Sequence, residues 1–287
     1  METSVTFLSD NLKLAGVMHT PKDMSPGDKR AAFLILHGFG TSKDGSTPEI
    51  MANMICDWGY IALRFDFRSC GDSEGERGLI RCLDQVEDTK NAITWIASQD
   101  SVDAQRVGVI GHSFGAAVAA YAGGVDERIA AVISSCGWGD GDTKFQLQHI
   151  GDDWEKFTSS LAEGQRRRES GEPDLKMSRW DIVPIPEHLR GKMGENVIME
   201  FPSETAQSMF DFRANDVVSK ISPRPLLLFH ASDDSVTPTD QSLQLFSHAG
   251  QPTDLLLLSG VDHFPFSIGN DRPRKALHDW LDTYFPA

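Results

Sequence analysis

A chain of 287 residues, 40% hydrophobic and 24% charged, is long enough to bury one large core, and no stretch approaches the roughly 20 continuous apolar residues of a membrane span. Forty-two acidic residues against 27 basic ones leave a formal charge of −15, which repels phosphate backbones and anionic lipid and argues against nucleic acid or a membrane surface as partner. Four scattered cysteines, Cys56, Cys70, Cys82 and Cys136, lack the CxxC spacing of a zinc or redox site, so they read as thiols in a reducing compartment.

The opening segment METSVTFLSDNLKL alternates like a strand and has neither a basic nor an apolar leader region, so a cytoplasmic protein is expected. Residues 4–9 and 12–20 suit an antiparallel hairpin turning at Asp10 and Asn11. AAFLILHG (31–38) reads as a buried central strand, followed by a helix over 47–58 and a further strand, YIALRFDF (60–67). A glycine-rich loop leads to a helix over 84–98 that places Val86, Ile93, Ile96 and Ala97 on one side. RVGVIGHS (106–113) is a strand aimed at the helix FGAAVAAYAGG (114–124), whose small residues let its backbone lie close to the sheet. Three more strands, IAAVISSCG (129–137), PLLLFHAS (225–232) and DLLLLSG (254–260), precede a closing helix over 273–284. Strands alternating with helices imply an α/β fold with a mostly parallel sheet.

More than eighty residues between Gly137 and Pro225 lack a strand of this kind, too long for an ordinary connection. They suit a mainly helical cap, residues 138–222, inserted into a core made of 1–137 and 223–287. Its aromatic residues are enough to cover a site mouth, with Trp138 and Trp180 as candidate substrate contacts and a hydrophobic or aromatic group as the expected ligand. The run Arg166, Arg167, Arg168 is followed by Glu169, Glu172 and Asp174 and reads as a solvated helix face.

Gly111-His112-Ser113-Phe114-Gly115 fits G-x-S-x-G at a strand-to-helix junction. A sharp turn there presents the serine hydroxyl, flanking glycines avoid side-chain clashes, and the helix amino terminus favours developing negative charge. Serine needs a base, and the base needs a group that fixes its tautomer. His263, after the last strand, and Asp234, after the one before it, follow Ser113 in the required order. Asp233 shares Asp234's turn and either carboxylate has the reach; Asp234 is preferred. Asp216 reads as a helix or turn cap, and Asp262 is expected to point away from the imidazole into solvent. His37, His112 and His230 lie near strand ends and read as loop braces. The backbone N–H groups of Phe39, in His37-Gly38-Phe39-Gly40, and of Phe114 are candidates for an oxyanion hole. This chemistry requires no metal or organic cofactor. Oligomeric state leaves no sequence signature, and a homodimer is one of the states open to the chain.

LILHGFG (34–40), FDFRSCGDSEG (65–75), GHSFG (111–115), LLLFHASDDSVTP (226–238) and GVDHFPF (260–266) span nearly the whole chain, and together they resemble the α/β-hydrolase superfamily. Within it, the chain is similar to small bacterial carboxylesterases of the cinnamoyl or feruloyl esterase kind. The resemblance implies an eight-stranded core, assigns Asp234 by its distance from Pro238, and makes the loop from Arg68 to Gly75 a support beneath the oxyanion turn. It also implies hydrolysis of a small-molecule carboxylic ester through an acyl-enzyme on Ser113. Thioester, amide or carbon–carbon bond cleavage uses the same groups, and a non-catalytic binding protein on this fold is the remaining alternative.

Overall fold

A computed structural model describes residues 1–194, 196–267 and 269–287. In chain order, β1 (Glu2–Ser9) and β2 (Leu12–His19) form an antiparallel hairpin. They are followed by β3 (Arg30–Leu36), α1 (Ser46–Asp57), β4 (Ile61–Phe65), α2 (Cys82–Ala97), β5 (Val102–His112), α3 (Phe114–Val125) and β6 (Ile129–Ser135). An insertion then carries α4 (Gly141–Gln148), α5 (Asp152–Ser170), β7 (Lys176–Ser178), α6 (Arg179–Ile182), α7 (Glu187–Arg190), β8 (Glu200–Pro202) and α8 (Ser203–Asp211). The chain returns through β9 (Leu226–Ala231), α9 (Asp240–His248), β10 (Thr253–Leu258) and α10 (Asp271–Tyr284).

The main sheet has eight strands in the order β1-β2-β4-β3-β5-β6-β9-β10. Every pairing from β4 to β10 is parallel, and the hairpin is the antiparallel edge. β3 shows why these strands sit at the centre. Phe33 and Ile35 face one core layer, with Met51 and Ile55 of α1 and Leu277 and Trp280 of α10. Ala32, Leu34 and Leu36 face the other, with residues of α2 and α3. A strand covered on both faces has no place for polar residues, hence the unbroken aliphatic run. α3 buries Ala116, Ala117, Ala119 and Ala120, so its backbone lies close to β5 and β6 as its composition implies.

Parallel strands place all their carboxyl ends on one edge, where open α/β sheets bind ligands. The turns after β3, β5, β9 and β10 therefore converge, and the insertion packs over them. Phe212 stacks on Tyr121 of α3 with ring centroids 4.8 Å apart, and Phe201 stacks on Phe39 at 4.4 Å. The insertion is not helical throughout: β7 and β8 form a two-stranded antiparallel ribbon. Each strand has three residues, too few for alternation to be read in the sequence.

Candidate active site

β5 ends at His112, and the chain turns at once into α3. Ser113 sits in that turn at φ 57° and ψ −117°, a sparsely populated conformation for a residue with a side chain, costing about 1–3 kcal/mol. The flanking glycines make the turn possible. A Cβ at Gly111 would overlap the Gly115 carbonyl, and one at Gly115 would overlap the Leu36 carbonyl. The Ser113 N–H donates to the Ser135 carbonyl at 2.9 Å, anchoring the turn to β6.

The turns after β9 and β10 bring Asp234 and His263 to this serine. His263 Nδ1 lies 2.9 and 3.0 Å from the two Asp234 carboxylate oxygens, and Nε2 lies 2.9 Å from Ser113 Oγ. With the Nδ1–H donated to the carboxylate, Nε2 is left to accept the serine hydroxyl. Asp234 also accepts the Val236 and Thr237 N–H groups at 2.8 and 2.7 Å. Burial alone would raise its carboxyl, but His263 and the hydrogen bonds from His230 and His263 outweigh burial and hold it well below the usual carboxylate range. Asp233 is exposed, and Asp216 is exposed at the end of a 3-10 turn. Asp262 turns away from the imidazole, but its surroundings correct the expectation of simple solvation. Its carboxylate accepts the Ser235 N–H and hydroxyl at 2.8 Å and the His263 N–H at 2.7 Å, tying the two turns together.

The three histidines near strand ends behave differently. His37 donates to the Gly38 carbonyl at 2.8 Å and accepts the Phe67 N–H at 3.2 Å, joining the turn after β3 to the loop after β4. That loop is built around buried Asp66, which accepts the Lys43 and Asp72 N–H groups at 2.6 and 2.9 Å. His230 meets Ser242 Oγ at 2.6 Å and lies 3.3 Å from Asp234. His112 braces nothing: both ring nitrogens are buried without a partner, and its ring lies 4.9 Å from that of His263. Burial first, then the neighbouring His263, pull its pKa well below the usual histidine value, so it is neutral.

Beside Ser113 lies a cavity of about 40 Å³, lined on the core side by Gly38, Phe39 and His112 and on the insertion side by Arg179, Val183 and Ile185. The Phe39 N–H donates no hydrogen bond within the described chain, and the Phe114 N–H opens α3, where no intrahelical acceptor exists. The Phe39 turn is clamped from the insertion. The Arg179 guanidinium donates to the Phe39 carbonyl, and the Ile198 N–H donates to the Gly40 carbonyl at 2.9 Å. Trp138 and Trp180 do not reach this cavity. Trp138 is buried between Phe114 and Phe212, while Trp180 faces a separate depression, with Arg190 over its ring. Arg179 and Ile185 carry no local sequence signal, and their place emerges only from packing.

Cys136, Asp234 and His263 are the one group with metal-ligand spacing among the described residues. The Asp234 and His263 atoms are already engaged with each other, and burial together with Asp234 pushes the Cys136 thiol well above its ordinary range, away from the thiolate a metal requires. No described helix is long and apolar enough to cross a membrane.

The family model for X-Pro dipeptidyl-peptidase (S15 family) matches residues 15–265. The chain belongs to this S15 family. The polyketide transferase grgF of Penicillium sp is 26% identical over 255 residues, covering 85% of each chain. Its crystal structure, described as an α/β hydrolase, superposes with a TM-score of 0.80 over 98% of this chain and 97% of that one, at 22% identity. The thiohydrolase aneE of Aspergillus aculeatus is 25% identical, covering 93% of this chain and 88% of its own. Est1E from Butyrivibrio proteoclasticus, solved with ferulic acid, superposes at a TM-score of 0.75 and 17% identity over 99% of this chain and all of that one. This S15-family chain therefore has the α/β-hydrolase fold and is a hydrolase by family.

Proposed function

We propose that the protein is a serine hydrolase that cleaves a carboxylic ester through an acyl-enzyme on Ser113. The observation that carries this reading is the unbroken hydrogen-bonded chain from Asp234 through His263 to a serine held in a strained turn. His263 Nε2 takes the hydroxyl proton as Ser113 Oγ attacks the ester carbonyl. Asp234, anionic because its carboxyl is held low, stabilises the resulting imidazolium. The Phe39 and Phe114 N–H groups receive the oxyanion. His263 returns the proton to the departing alcohol, and water then repeats the sequence to release the acid.

Val183, Ile185, Met193 and Phe264 give the cavity an apolar wall, which supports a hydrophobic or aromatic group on the ester. Ferulic acid bound to Est1E supports the same reading. A thioester is the second reading, favoured by the thiohydrolase aneE among the relatives. A dipeptidyl-peptidase must accommodate a substrate's free α-ammonium, and here no aspartate or glutamate lines the cavity among the described residues. The S15 family name is thus not transferred to the substrate.

A panel of p-nitrophenyl esters, acyl thioesters and anilides tests the proposal. Turnover of esters above anilides is expected. Cleavage of a vinylogous diketone with no ester turned over would overturn it.

A further inference from the structure

Arg179 is the only arginine among the described residues lining the cavity beside Ser113, and it is 2% exposed. In a chain with 42 acidic residues, arginines usually find carboxylates: Arg68 meets Asp88, Arg128 meets Asp126, and Arg168 meets Asp174. Arg179 meets none. Its donors go to the Phe39 and Ile198 carbonyls, its guanidinium lies 5.2 Å from the Phe39 ring centre, and buried Nε has no partner.

Neutral carbonyls satisfy a guanidinium's hydrogens but leave its charge without a counter-charge, and burying an uncompensated charge is costly. Desolvation pulls the Arg179 pKa down to about 10. Lys192, exposed on the same cavity's rim, adds a second cation. Its backbone is fixed by the Ser46 hydroxyl, which donates to the Lys192 carbonyl at 2.9 Å. The described lining of this cavity thus carries two cations and no carboxylate, in a protein of charge −15.

We propose that this cavity contains a subsite for an anionic group, held by Arg179 with Lys192 at the rim, so that the ester or thioester it accepts carries a carboxylate or phosphate away from the scissile carbonyl. This rests on the reading of Ser113 as nucleophile. A charge-assisted bond to a desolvated guanidinium gives discrimination of about 10- to 100-fold against a neutral analogue.

Two matched pairs locate the anion. p-Nitrophenyl hemiglutarate against p-nitrophenyl butyrate places it on the acyl side; butyryl-CoA against butyryl-N-acetylcysteamine places it on the leaving group. The anionic member of at least one pair is expected to have the higher kcat/KM by about 10-fold or more. Arg179→Gln should collapse that ratio, Arg179→Lys should retain part of it, and Lys192→Gln should lower it about 2- to 5-fold. A ratio near one in both pairs overturns the proposal. So does a ratio that survives Arg179→Gln, or a uniform loss on every substrate with the ratio unchanged, which reduces Arg179 to a brace of the Phe39 turn. If Arg179→Gln does not fold, the exposed Lys192→Gln variant decides by the same ratio. Failure of the underlying reading is separate: it shows as no Ser113-dependent turnover of any member of either pair.

Discussion

The carboxyl edge of the sheet and the insertion above it meet at one cavity but are built on opposite terms. On the sheet edge, the carboxylates that align His263 are paired. Asp234 receives two backbone N–H groups besides His263, and Asp262 bridges the neighbouring turns. Among the described residues, the insertion instead buries charge without counter-charge: Arg179 faces carbonyls, and Lys144 of α4, 2% exposed, faces Gln148 and the rings of Phe145 and Trp138. On the proposed function, the edge fixes the reaction geometry and the insertion selects what enters. Substitutions on the edge should change rate at nearly constant stability, and those in the insertion should change stability or selectivity.

The largest expected effect is on the edge. Ser113→Ala should reduce turnover on the order of 10⁶-fold with the melting temperature unchanged within a few degrees, checked by steady-state kinetics and calorimetry. Asp234→Asn should cost up to about 10⁴-fold in kcat through the wrong His263 tautomer, while Asp233→Asn, exposed, stays within about 2-fold. The reverse pattern would exchange the two roles. Asp262→Ala should lower kcat about 10- to 100-fold with little change in KM, because it loosens the alignment of the Asp234 and His263 turns.

The sheet edge was largely legible in the sequence. Long aliphatic runs gave away the central strands, and G-x-S-x-G at a strand-to-helix junction pointed to Ser113. Three things were not. α9 has too few apolar positions to stand out beside its exposed Leu243 and Phe246. The role of Arg179 depends on contact with Phe39, 140 positions away, and no local pattern encodes a contact of that range. Asp262 was misjudged for the same reason, since its partner Ser235 lies 27 positions back on another turn.

The smallest effect probes the insertion. Burial pulls Lys144 down to about 7, so between pH 7 and the ordinary lysine range the unfolded chain binds a proton that the folded chain does not. Stability therefore rises with pH across that window, and the burial cost is fully present below about pH 7. Lys144→Met should stabilise the fold by about 1–4 kcal/mol at pH 6.5, and the gain should shrink as pH climbs toward 10, as denaturant melts at several pH values will show. A changed kcat in Lys144→Met would break the division of labour between the two regions.

Reaction with a fluorophosphonate tests the central claim most directly, because it reports the activated nucleophile without knowledge of the substrate. The expected result is one adduct per folded chain, located on Ser113 by peptide mass spectrometry and abolished in Ser113→Ala and His263→Ala. Folded protein that forms no Ser113 adduct, or that labels equally without His263, would contradict it.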